Sequence, residues 1–123
     1  MIGYTTLGVK DLEASKAFYA ELFADQGGKV AIDAGRIAFI GCNRGEPMLA
    51  LCTPYDGEAA SAGNGTMVAF SSASKEAVDA SYAKAIALGA TCDGAPGQRI
   101  EDRFYGAYVR DADNNKLCFF VFG

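Results

Sequence analysis

The chain has 123 residues, half of them hydrophobic, with 15 acidic side chains against 11 basic ones and no histidine. One packed domain fits this length, and the net negative charge argues against a nucleic-acid partner, which needs clustered Lys and Arg. No apolar run approaches the ~20 residues of a membrane helix, and without histidine the commonest metal ligand and the usual general base near neutral pH are missing.

The N-terminus shows no basic-then-apolar signal pattern, so a cytoplasmic protein without a membrane partner is expected. Cys42, Cys52, Cys92 and Cys118 form no C-x-x-C pair and read as reduced thiols. Tyr4 to Val9 alternates as a strand, with Leu7 and Val9 on one face and Tyr4, Thr6 and Gly8 on the other. Asp11 is the expected N-cap of a helix whose apolar stripe is Ala14, Phe18 and Leu22, widened by Tyr19 and Phe23. Gly27-Gly28 ends it. Strands over Lys29–Asp33 and Arg36–Ile40 follow, joined by a tight hairpin at Ala34-Gly35, and a fourth runs from Met48 to Thr53. Pro54 to Asn64 has no periodicity and reads as a loop between two halves.

Gly65 to Phe122 reads as strand, helix and three strands. The strand is Gly65–Phe70, and the helix is capped by Ser74, stops at Gly89 and buries Val78, Tyr82, Ala85 and Ile86. Runs at Gln98–Ile100, Tyr105–Arg110 and Lys116–Phe122 complete it. At one constant offset Asp11 falls on Ser74, Glu13 on Glu76, Ala14 on Ala77 and Tyr19 on Tyr82. Such self-similarity marks a duplicated supersecondary unit. The chain is therefore read as one α+β domain, 1–123, made of two βαβββ modules, 1–54 and 65–123, with a linker at 55–64. One helix per module covers one face of its sheet, so the opposite faces must curl around each other or around a ligand. By alternation those faces carry Tyr4, Thr6, Gly8, Met67, Ala69, Ser71, Cys118, Phe120 and Phe122. They are small in the middle and aromatic at the ends, which leaves room for an apolar or aromatic molecule; a close-packed aromatic core is the alternative.

Several segments carry a likeness to a known family. These are Thr6-Leu7-Gly8-Val9-Lys10-Asp11-Leu12 followed by Ser15 and Phe18-Tyr19, Gly65–Phe70 before a helix, Gly94–Arg99, and Tyr108–Lys116. In their order and spacing the chain resembles the glyoxalase, bleomycin-resistance and extradiol-dioxygenase group, the vicinal oxygen chelate superfamily. The resemblance implies paired modules forming a curved, barrel-like mixed sheet around a pocket, often in a homodimer. In metal-using relatives the ligands would stand at the places of Tyr4, about Ala50, Met67 and Cys118. A divalent ion wants imidazole and carboxylate there, so no metal and no cofactor are expected, and the metal-dependent reactions of the group lack their Lewis acid.

The expected function is thus metal-independent binding of a small apolar or aromatic molecule, with Tyr4, Thr6, Met67, Ala69, Arg99, Tyr105, Cys118 and Phe120 as ligand contacts. Arg99 beside phenols suits a carboxylate or phosphate clamp, whereas Arg103 reads as a solvated side chain near Glu101 or Asp102. Cys118 reads as an inert buried thiol, because no histidine is present to lower its pKa. Asp111 and Asp113 read as turn residues, and Asn114 replaces glycine where a positive φ is needed. A lyase, isomerase or dioxygenase relative with non-standard residues is the rival reading, and a subunit whose concave face contacts protein is a third.

Overall fold

Alternation along the first strand, β1 (Tyr4–Gly8), buries Leu7 and leaves Tyr4 and Thr6 exposed. The computed structural model describes all residues from 1 to 123. Asp11 caps the first helix, α1 (Leu12–Leu22), by accepting a hydrogen bond from the Ala14 amide at 3.0 Å, and Glu13 places negative charge at the positive end of the helix dipole. The buried stripe of α1 is Ser15, Tyr19 and Leu22. The sequence expectation of Ala14 and Phe18 is corrected by one position: Ala14 is exposed and Phe18 only half-buried. Tyr19, the largest fully buried side chain, sets the rotation and carries the small Ser15 inward one turn earlier.

After a short 3-10 turn at Ala24–Gln26, which ends on Gly27 in the left-handed region, the chain forms β2 (Lys29–Asp33), β3 (Ile37–Gly41) and β4 (Met48–Cys52). The Asp33 carboxylate accepts from the Gly35 amide at 3.1 Å and closes the expected hairpin. The second half follows the same order: β5 (Val68–Ser71), α2 (Lys75–Ala87), β6 (Thr91–Ile100), β7 (Phe104–Arg110) and β8 (Lys116–Phe122). Ser74 caps α2 through the Ala77 amide at 3.1 Å.

The chain divides into two compact units, Met1–Ala62 and Gly63–Gly123. Each holds one four-stranded sheet, in the orders β1-β4-β3-β2 and β5-β8-β7-β6. In both, the first strand runs parallel to the fourth and the other pairs are antiparallel. The fold is α+β, two βαβββ modules as expected. Each sheet is open, with β1 and β2 as the edges of the first and β5 and β6 as those of the second. The core of the first unit is built on Leu7, Val9, Tyr19, Leu22, Ile40 and Leu51, and that of the second on Val78, Ala85, Val109, Leu117 and Phe119.

Two further expectations are corrected. Ile86 is 38% exposed rather than buried, because the α2 stripe follows Val78 and Ala85 and Ile86 lies a hundred-degree step away from the latter. Strand β6 begins at Thr91, seven residues before the expected Gln98. It runs through Gly94, Pro96 and Gly97 because β6 is an edge strand with three register shifts against β7, and an edge tolerates a missing amide donor.

The β7–β8 turn is held by Asp111, which is buried. Its carboxylate accepts from the amides of Asp113 and Asn115, both at 2.9 Å, and from the Asn115 side chain at 3.1 Å. Asn114 takes φ 66°. Asp111→Ala strands two backbone amides and is expected to destabilise the protein by about 2 kcal/mol. Urea unfolding checks this, and a loss within about 0.5 kcal/mol, as for an ordinary surface change, contradicts it.

Candidate functional site

In each sheet one face carries the helix, and the residues alternating with it form a helix-free face. In the first sheet that face has Tyr4, Thr6, Ala50 and Phe39, with Tyr4 and Phe39 edge-to-face at 4.9 Å. Tyr4 and Thr6 are exposed on it, Ala50 is fully buried, and Lys29, paired with Gly41, brings a charge to its β2 edge.

The helix-free face of the second sheet is set by the pairing of β7 with β8. Phe104, Gly106, Tyr108 and Arg110 stand opposite Phe122, Phe120, Cys118 and Lys116. Ala69 of β5 pairs with Cys118 and belongs to the same face. At one end of this face Phe104 stacks on Phe120, with centroids 5.2 Å apart and planes 5° apart, and Phe122 meets both edge-on. Gly106 makes the stack possible, since a Cβ there would stand 2.7 Å from Phe104 Cε1.

The other end is cationic. The Arg99 guanidinium and the Lys116 ammonium lie 5.3 and 5.1 Å from the centroid of the Tyr108 ring, within cation–π range. Arg110 donates through Nε to Asp93 at 3.0 Å and through Nη1 to the Asn114 carbonyl at 3.1 Å, and Lys116 reaches the same Asp93 oxygen at 3.4 Å. Arg99 is aimed here by a register shift between Gln98 and Ile100, where it is the extra residue of β6, and it donates through Nη2 to the Ala95 carbonyl. Gly97 leaves room for it, because a Cβ there would approach Arg99 Nη1 to 3.0 Å. Beside this end a cavity of about 360 Å³ is lined by Gly63, Asn64, Gly65, Thr66, Met67, Arg110 and Lys116.

Of the sequence-derived contacts, the structure brings Met67, Ala69, Arg99, Cys118 and Phe120 to this one face or its margin, and Tyr4 and Thr6 to the corresponding face of the first sheet. Tyr105 is corrected. It alternates with Phe104 and Tyr108, and its hydroxyl donates to Asp79 of α2 at 2.6 Å, a bond that pushes the phenol pKa up. It is therefore a helix-side residue. The phenol that meets Arg99 is Tyr108. Lys116, Arg110 and Phe104 share this face but are not among the sequence-derived residues; the alternation that singles out Cys118 and Phe120 marks them once the β7–β8 register is known.

The positions where the resemblance implies metal ligands do not fit a divalent ion. Ala50 has no donor, Tyr4 offers a phenol and Met67 a thioether. Burial pushes the Cys118 thiol pKa up, against the opposing influence of Tyr108 and the charges of Lys116 and Arg99. No group of three or more Cys, Asp or Glu side chains converges as a cation site, and two cations beside Cys118 repel a third.

Cys118, fully buried and held in its neutral form, is expected to resist iodoacetamide at neutral pH while exposed Cys42 reacts; peptide mass spectrometry reads the order, and equal rates contradict the assignment. Asp93 supplies a pH signature. Burial opposes its ionisation, but the bonds from Arg110 and Lys116 outweigh this and hold its pKa below the usual carboxylate value. A lowered pKa gives stability that is present above the unfolded value and lost as pH falls through the folded one. The stability difference between wild type and Asp93→Asn is therefore expected near neutrality and to shrink as pH falls through the lowered carboxylate pKa, measured by urea unfolding. A difference independent of pH contradicts it.

Among curated proteins none matches the chain. Among solved structures it is similar to a glyoxalase/bleomycin resistance protein from Albidiferax ferrireducens T118, at 36% identity and TM-score 0.86, covering 98% of both chains. It is also similar to a lactoylglutathione lyase from Agrobacterium tumefaciens, at 26% identity and TM-score 0.72, covering 98% of this chain and 92% of that one. A glyoxalase-related enzyme from Fulvimarina pelagi shares the fold at 23% identity and TM-score 0.78, covering 98% and 87%. The sequence profile of one family matches residues 1–119. The chain belongs to the Glyoxalase/Bleomycin resistance protein/Dioxygenase superfamily.

Proposed function

We propose that this chain is a metal-independent small-molecule binding protein that holds an aromatic or apolar ligand against the helix-free face of its second sheet. The observation that supports this most is the aromatic row Phe104, Phe120 and Phe122, of which Phe122 is 77% exposed. Exposed aromatic surface on a rigid strand pair is a ready platform for stacking a planar ring, at about 0.5–1.5 kcal/mol per pair beyond area burial. The same face has no carboxylate–imidazole set to polarise a substrate oxygen, and its one thiol is buried and neutral. Those features favour holding a molecule over transforming it.

The second reading is a lyase related to glyoxalases, favoured by the 26% identity to the Agrobacterium lactoylglutathione lyase. It would need its reacting groups to come from the phenols and cations of the face.

The neutral fluorophore N-phenyl-1-naphthylamine tests the binding reading. EDTA-treated protein is expected to bind it, and Phe120→Ala to weaken binding about fivefold or more, as expected for loss of a stacking partner. Binding that disappears with EDTA and returns with a divalent metal overturns the proposal in favour of the lyase, and binding unchanged in Phe120→Ala removes the aromatic row as its platform.

A further inference from the structure

We infer that the ligand is an organic oxyanion, its carboxylate or phosphate seated in the cavity between the Gly63–Met67 loop and the Arg110–Lys116 pair while its ring lies along Tyr108 toward Phe120. This rests on the aromatic-ligand reading above and adds the charge and orientation of what is bound.

The cavity of about 360 Å³ has room for a carboxylate or phosphate group together with part of the molecule that bears it. Its wall is one-sided in charge. Arg110 and Lys116 both line it, and the carboxylate shared between them is a single one, that of Asp93. Two positive groups on one negative group leave a net positive wall. Arg99 does not line the cavity but lies over the Tyr108 ring, which Lys116 also approaches, and adds a third cation nearby.

The rest of the lining is a loop of small polar residues, Gly63, Asn64, Gly65 and Thr66, followed by Met67. Thr66 bonds back to the Gly63 carbonyl at 3.2 Å, and Gly65 has φ 92°, so the loop is a tight turn that lets an anion approach the backbone. The cations are half-buried rather than splayed into water, with side-chain exposures of 31% for both Arg110 and Lys116. A partly desolvated cation binds an oxyanion more strongly than a surface one does.

Distance along β8 sets the size of the molecule. Lys116 and Phe120 are four residues apart on one strand, about 13 Å at the usual rise, with Cys118 and Tyr108 between them. An arene bearing an acidic group on a short arm spans from the cationic end onto the Tyr108 ring and reaches the edge of Phe120. A neutral arene uses only the aromatic end.

Three probes of one ring system test this on the full chain in phosphate-free buffer of low ionic strength: 2-naphthoate, 2-naphthyl phosphate and methyl 2-naphthoate, read by calorimetry. At least one anion is expected to bind about tenfold or more tightly than the ester, the worth of a charge-assisted contact, and the tighter of the two names the headgroup. Lys116→Gln is expected to remove that preference, read as the ratio of anion to ester affinity within the variant. Inorganic phosphate is expected to compete with the anions and not with the ester on wild-type protein, a measurement that needs no variant to fold. Equal affinity for ester and both anions, or a preference that survives in folded Lys116→Gln, overturns the oxyanion assignment alone. Failure of all three probes to bind overturns it together with the aromatic-ligand reading.

Discussion

Strand β8 holds the second half of this protein together and decides what its free face presents. It lies inside the sheet, parallel to β5 and antiparallel to β7, so both edges of its backbone are paired and its register cannot slip without turning every side chain over. Leu117 and Phe119 point toward α2 and are fully buried. Lys116, Cys118, Phe120 and Phe122 are thereby forced to the other side. The cationic and aromatic ends of the face are two consequences of one alternation.

The two halves share a plan but differ in chemistry. Ser15, Tyr19 and Leu22 in α1 correspond in spacing to Val78, Tyr82 and Ala85 in α2, and each helix opens with a capping oxygen on the amide three residues on. The duplicated part is what the core needs. The helix-free faces have diverged: the first carries Tyr4, Thr6, Phe39 and Ala50 with Lys29 at its β2 edge, whereas in the second Arg99 and Lys116 lie over Tyr108 and Arg110 stands opposite Lys116. A chain with net charge −4 thus carries a local positive face, which a whole-chain total cannot reveal.

Much of this was legible in the letters because it follows from local rules. The caps at Asp11 and Ser74, the hairpin at Gly35, the turn at Asp111–Asn115 and the alternation of β8 each depend on a few neighbouring residues. What escaped depends on pairing between distant residues. Tyr105 was grouped with Arg99 because the two are near in sequence, yet one bulge in β6 turns Arg99 to Tyr108 while Tyr105 bonds α2. The early start of β6 was hidden by Gly94, Pro96 and Gly97, which break a central strand but not an irregular edge. The one-residue rotation of α1 was hidden because Ser15 is polar and reads as surface, although Tyr19 carries it inward.

The departure from the metal-binding pattern of the family is physical as well as compositional. Around Cys118 the local charges are cations, and the thiol is pushed toward its neutral form, so the place favours an anion over an ion such as Zn²⁺ or Mn²⁺. The most direct measurement is the metal content per chain, by inductively coupled plasma mass spectrometry, of protein dialysed against excess Zn²⁺, Ni²⁺, Mn²⁺ or Fe²⁺ and then desalted. The account predicts far less than one ion per chain for every metal; one ion retained per chain would contradict it.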